Sequence, residues 1–266
     1  ALLSAWFLFR PAPAPARADR PVLPAAPGVE RLALQVVATR PHDRGAFTQG
    51  LVWHQGKLYE STGQYGGSSL RVVEPETGRV ERKLDLASNY FAEGLALAGD
   101  RLIQITWMEQ VAFVYNLADL SRVGEFRYTG EGWGLAFDGQ NLIMSDGSDR
   151  LTFRDPRTFA AVREVRVKLG ESPVHLLNEL EWVDGKIYAN IWQSEEIVRI
   201  DPRTGRVEAV IDASGLLTPE ERYGTDVLNG IAYVPSSKTF LITGKLWPKM
   251  FEVKLVPRRL PSKSGS

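Results

Sequence analysis

Glu93 stands in the stretch FAEGL, a single carboxylate between aromatic and glycine neighbours, ahead of a short alternating apolar run that ends at Trp107. A carboxyl group among aromatic rings loses hydration, which costs free energy unless a partner or a task compensates. Held there, it can take a proton from one atom and deliver one to another, so its type and setting point to general acid/base chemistry. Competing chemistries have less support. The chain has no cysteine, which excludes a thiolate nucleophile, thiolate metal sites and a disulfide framework. His42, His54 and His175 show neither metal-ligand spacing nor the pattern of a Ser-His-Asp triad. GQYGGSS, Gly63 to Ser69, offers glycines and hydroxyls but lacks the lysine and the strand-to-helix turn of a phosphate-binding loop, and reads as a loop at a channel mouth.

The elements that would hold Glu93 follow from a repeat. QGLVWHQGKLYESTG, EGLALAGDRLIQITW, WGLAFDGQNLIMSDG, NELEWVDGKIYANIW and NGIAYVPSSKTFLITG each give a small or polar residue, an alternating strand, a turn and a second β-rich strand. Their second residues, Gly50, Gly94, Gly134, Glu179 and Gly230, are 44, 40, 45 and 51 residues apart, periods that suit a propeller blade. Further strand pairs follow in LRVVEPETGRVERKLDL, LTFRDPRTFAAVREVRV and IVRIDPRTGRVEAVID, where proline and glycine sit as hairpin turns require. The fifth unit supplies only MFEVKLV as a third strand, so RLALQVVATR, Arg31 to Arg40, is expected to complete it from the N-terminal side. The fold expected is all-β: a five-bladed β-propeller closed by an N-terminal strand.

In such a ring the same register of each innermost strand lines a central channel. The position before each second residue is Gln49, Glu93, Trp133, Asn178 and Asn229: one acid, three amides and an indole. Thirteen residues beyond the second residue of each repeat come Gly63, Trp107, Gly147, Trp192 and, with one insertion, Gly244, next to Lys245. Tryptophan alternating with glycine reads as a pocket wall with room between its rings. From these residues alone two other functions stay open. Glu93, Asn178 and Asn229 are hard oxygen donors such as a Ca²⁺-dependent lactonase-like hydrolase would use, and the same pocket could bind peptides without catalysis.

FTQGL, FAEGL, ITW, GEGWGLAFD, MSDGS, LNELEWV, ANIW, VLNGIAYV and TGKLWPK, spread in order from Phe47 to Lys249, closely resemble the plant and bacterial glutaminyl-peptide cyclotransferases, glutaminyl cyclases of the five-bladed propeller type. The resemblance implies conversion of N-terminal glutaminyl residues of peptides and proteins to pyroglutamyl with loss of ammonia, with no cofactor and no catalytic metal. It implies Glu93 as the acid/base and Phe47, Gln49 and Phe91 beside it. Trp107, Trp133 and Trp192 would wall the substrate pocket, Asn178 and Lys245 would supply polar contacts, and Asn229 belongs with the substrate-binding ring. In catalysis, Lys245 or Asn178 is the expected donor to the negative charge that develops on the carbonyl oxygen. Ala92 and Gln64 depart from the glycine and leucine expected at those positions.

The 32 basic and 32 acidic residues balance, so nothing in the charge calls for nucleic acid or another polyanion. Residues 1–29 read as the remnant of an export signal, with ALLSAWFLF too short to span a bilayer and a small-residue cleavage site at Ala16 to Ala18, followed by a Pro/Ala leader. The catalytic domain is expected over 30–257 and a disordered tail over 258–266. A periplasmic or secreted monomer without stable membrane insertion is the corresponding expectation.

Overall fold

The computed structural model describes residues 22–258. Residues 1–21 of the expected export remnant and leader, with the cleavage site, and residues 259–266 of the expected tail lie outside the described residues. The chain is all-β. Strand β1 (Glu30–Pro41) precedes a first antiparallel unit of β2 (Thr48–His54), β3 (Lys57–Thr62), β4 (Ser69–Glu74) and β5 (Arg79–Asp85). The second comprises β6 (Ala92–Ala98), β7 (Arg101–Thr106), β8 (Val111–Asn116) and β9 (Arg122–Arg127). The third comprises β10 (Leu135–Phe137), β11 (Leu142–Ser145), β12 (Arg150–Arg154) and β13 (Ala161–Arg166). After the small hairpin β14 (Lys168–Leu169) and β15 (Ser172–Pro173) come β16 (Leu177–Val183), β17 (Lys186–Ile191), β18 (Glu196–Ile200) and β19 (Val207–Asp212), then β20 (Leu228–Val234), β21 (Thr239–Gly244) and β22 (Lys249–Pro257).

Strand β1 is the fourth strand of the last unit. It pairs antiparallel with β22 from Leu32↔Pro257 to Pro41↔Lys249, as the truncated fifth repeat demands. It also pairs in parallel with β19 from Glu30↔Ala209 to Ala33↔Asp212, so the last two units merge into one eight-stranded sheet. Residues ahead of β1 are engaged too. The Leu23 amide donates to Glu196 Oε2 at 2.6 Å, and Leu23, Ala26 and Val29 pack on the apolar cluster between the third and fourth units.

Apolar packing lies between units rather than within them. Separate clusters join first to second, second to third, third to fourth, fourth to fifth and fifth back to first. The first strands β2, β6, β10, β16 and β20 touch one another in the same cyclic order. Glycine permits that approach. A Cβ on Gly134 would stand 1.9 Å from the Asn178 carbonyl oxygen, and one on Gly94 would stand 2.4 Å from the Leu135 amide nitrogen. The hairpin turns carry their own requirement: Gly205 in DPRTG has φ +72° and Phe159 in DPRTF has φ +60°. The fold tolerates the strained Phe159 because its ring is buried and stacked on Phe126 at 5.5 Å.

Candidate active site

A β-bulge recurs where the repeat places its polar residue. The pairing register shifts between Thr48 and Gly50, between Ala92 and Leu95, between Leu177 and Leu180, and between Leu228 and Ile231. A bulge leaves the extra residue unpaired and turns its side chain out of the pleat. Gln49, Glu93, Asn178 and Asn229 all sit in these bulges and are buried. The Glu93 backbone is pinned as well, since Ser61 Oγ donates to its carbonyl oxygen at 2.5 Å and is itself held by Gln104 Nε2 at 2.8 Å.

Three ring residues form a directed chain. Asn229 Nδ2 donates to Thr48 O at 2.9 Å and to Gln49 Oε1 at 3.2 Å, and Gln49 Nε2 donates to Glu93 Oε1 at 2.9 Å. Asn229 thereby fixes which end of the Gln49 amide faces the acid. It is fully buried in this role, and its own Oδ1, like that of Asn178, has no hydrogen-bond partner. Asn178 stands apart: its backbone oxygen accepts from Ser145 Oγ at 2.7 Å, while its buried Oδ1 has no hydrogen-bond partner.

The aromatic residues assemble in two groups. The Phe91 ring meets Phe47 at 6.2 Å, Tyr65 at 5.4 Å and Trp107 at 5.7 Å, all edge to face. Trp133 and Trp192 form a second edge-to-face pair at 5.7 Å. The glycines of the second ring do not leave open room between the tryptophans, as their alternation suggests. A Cβ on Gly63 would meet the Phe91 ring at 2.4 Å, one on Gly147 the Trp133 ring at 2.7 Å, and one on Gly244 the Trp247 ring at 2.3 Å. Those gaps are seats for aromatic rings.

Buried Lys245 sets its ammonium over the Phe47 ring, 4.9 Å from the centroid. Burial lowers its pKa, against the pull of Glu93 and Asp226. Burial raises the Glu93 carboxyl well above the usual carboxylate range; Lys245 opposes that shift, and Glu109 and Glu131 add to it. The site thus holds an acid whose neutral form burial favours, with a buried cation acting against that shift.

A family model described as glutamine cyclotransferase matches residues 10–255. The chain belongs to that family. It is 43% identical over 239 residues to the glutaminyl-peptide cyclotransferase of Arabidopsis thaliana, a match covering 88% of this chain and 74% of that one. The solved glutaminyl cyclase of Myxococcus xanthus superposes with a TM-score of 0.80 at 45% identity, covering 87% of this chain and all of that one.

Residues that the repeat register did not single out complete the cyclotransferase-family site. Glu131 Oε2 accepts from Trp107 Nε1 at 2.7 Å and from Trp133 Nε1 at 2.9 Å. Glu109 accepts from Tyr65 Oη at 2.8 Å and from the Phe91 amide at 3.2 Å. Burial and that Glu109 contact push the Tyr65 phenol up to about 12. A signal for Glu131 was present, because it stands two residues before Trp133 as Phe47 and Phe91 stand before Gln49 and Glu93. His42 is a structural residue, its ring bonded to Trp247 O at 2.8 Å and to Glu60 Oε1 at 2.9 Å. Among the described residues no group of three or more His, Asp or Glu is arranged to hold a metal ion.

Proposed function

We propose that this chain is a glutaminyl-peptide cyclotransferase that converts N-terminal glutaminyl residues of peptides and proteins to pyroglutamyl with release of ammonia. The observation that carries the reading is the buried Glu93 carboxyl, bonded by Gln49 and acted on by the charges of Lys245 and of Glu131, which holds the Trp107 and Trp133 indoles. It sits in a family whose characterised relative bears that activity in its name. We read the five units, with apolar clusters between each pair and first strands in cyclic contact, as a five-bladed β-propeller with this pocket at one mouth of its channel. An exported monomer without a catalytic metal is part of the same proposal.

The substrate carries its own nucleophile, so the first task is to fold the glutaminyl side chain until its α-amine approaches the γ-carbonyl, a positioning effect of a kind that can supply much of a barrier reduction. Phe91, Trp107, Trp133 and Trp192 form the walls for it. The α-ammonium enters beside Glu93, which takes a proton and frees the lone pair. Nitrogen attacks the γ-carbonyl carbon, the C–N bond of the lactam forms, and the tetrahedral oxygen gains negative charge. Lys245 is the cation for that oxygen. The unpartnered Asn178 Oδ1 is an acceptor, which suits the N–H of the leaving carboxamide better than the oxyanion. Glu93 returns that proton to the departing nitrogen, which leaves as ammonia, then takes the second proton from the ring nitrogen and passes it to the ammonia, leaving a neutral lactam. Ammonium goes in and ammonium comes out, with the carboxylate regenerated.

The test is ammonia release from a glutamine-initiated dipeptide, with and without chelator, against an asparagine-initiated control. Release from the first alone, unaffected by chelator, is the expected result. No release would leave a peptide-binding protein, and loss on chelation would overturn the metal-free mechanism.

A further inference from the structure

We infer that Glu131 is a positioning residue for the reaction, a single carboxylate oxygen that clamps the two halves of the aromatic wall at a fixed separation. The inference rests on the cyclotransferase reading of the pocket and goes beyond it by assigning a residue outside both rings. Trp107 follows β7 of the second unit and pairs with Phe91; Trp133 opens the third unit and pairs with Trp192. Glu131 Oε2 takes the indole N–H of both, so the two aromatic pairs, which come from different units, are joined through one atom. Remove that atom and two indole donors remain with no acceptor between them. The clamp is itself fixed, because the Gly132 amide donates to Trp107 O at 2.9 Å. No larger residue fits at that point, since a Cβ on Gly132 would stand 2.4 Å from Tyr128 Oη and 2.7 Å from Thr106 O.

The same carboxylate acts on Glu93 through its charge. The titratable and charged groups that act on Glu93 or are acted on by it come from several elements: Lys245 after β21, Glu109 after β7, Glu131 before β10, Tyr65 after β3 and Tyr128 after β9. Of these, Glu131 joins the wall to the acid, holding the substrate's enclosure and opposing the ionisation of its base.

Glutamine separates these two effects. An amide oxygen has two lone pairs and can accept both indole N–H groups, but carries no charge. In Glu131→Ala, kcat/KM for a glutamine-initiated dipeptide should fall about ten- to a hundredfold, the scale expected for losing hydrogen bonds to a charged acceptor. Glu131→Gln should restore it to within about threefold near the optimum. In both variants the acid limb of the kcat/KM profile should move to lower pH, because the charge that resists Glu93 ionisation is gone. Alongside, indole N–H resonances, assigned with Trp107→Phe and Trp133→Phe, should shift for both tryptophans in the alanine variant and return toward wild type in the glutamine variant. Unmoved indole signals in Glu131→Ala, a glutamine variant as slow as alanine, or an unshifted acid limb would each overturn the inference. A wild-type chain that releases no ammonia would overturn the activity reading instead, and the indole signals would still decide whether the clamp exists.

Discussion

Glu93→Gln tests the proposed chemistry most directly, because geometry and charge can be followed separately. The amide keeps the shape of the carboxyl, and its oxygen can still accept from Gln49 Nε2, which lies 2.9 Å from Oε1. It cannot accept the ammonium proton. General acid/base catalysis contributes about 10²–10⁴-fold, or about 2.7–5.4 kcal/mol of barrier, and kcat should fall by that factor. Stability should move the other way. Burial raises the Glu93 pKa in the folded chain above the 4.5 of an ordinary glutamate. Its contribution is therefore fully present below that value and is lost as pH rises through the folded-state pKa. Glutamine does not titrate, so the variant's melting temperature should gain on wild type between pH 5 and 8. The assays are ammonia release under saturating dipeptide and thermal melts across that range. A kcat retained within about tenfold would be too small a loss for the acid/base assignment, and a melting-temperature difference that shrinks as pH rises would refute the electrostatic argument.

Deleting β1, residues 30–41, should unfold or aggregate the domain, since β22 and β19 both lose a paired neighbour; thermal melts matching wild type would show that β1 does not close the structure. Trp107→Phe and Trp192→Phe should lower kcat/KM by roughly tenfold to two-hundredfold with little change in melting temperature, because both indoles are half-buried and form part of the pocket wall. The opposite pattern, lower stability with intact kinetics, would assign them to packing. Glu179→Gln removes one of two acceptors for the Leu51 and Ile231 amides and should cost about 1–3 kcal/mol in urea unfolding at pH 5, where the native carboxyl is least penalised by burial; an unchanged midpoint would show those bonds to be dispensable.

The repeat was legible because glycine recurs where first strands converge, and because proline and glycine mark each hairpin. The role of β1 in the last unit followed from counting strands in the fifth copy. Its parallel pairing with β19 was not legible, since nothing in RLALQVVATR states what lies beyond its second edge. The two rings brought out Gln49, Glu93, Trp133, Asn178, Asn229, Trp107, Trp192 and Lys245 from register. Phe47 and Phe91 came only from the family resemblance. Register could not say which way a ring residue points. The bulges decide that, and a bulge is a property of pairing between strands. For this reason the hydrogen bond from Asn229 to Gln49 was not legible in sequence. The seats under Phe91 and Trp133 were hidden for a similar reason: a glycine in sequence shows space, and only packing shows what fills it.

Glu93 and Glu179 are neighbours in the repeat frame, and comparing them shows why a shifted carboxyl alone would not locate this site. Both are buried and both are pushed well above the ordinary range, in each case first by burial. Their partners differ. Glu179 occupies the position held by glycine in the other four units, and its two oxygens are taken by backbone amides, Leu51 N at 3.2 Å and Ile231 N at 2.9 Å. It ties three units together, with both oxygens already engaged. Glu93 sits one register position earlier, and among the described residues its one side-chain hydrogen-bond donor is Gln49. Lys245, Glu109 and Glu131 act on its charge without occupying its lone pairs. Burial thus shifts both acids, and the saturation of their oxygens separates the strut from the candidate catalyst.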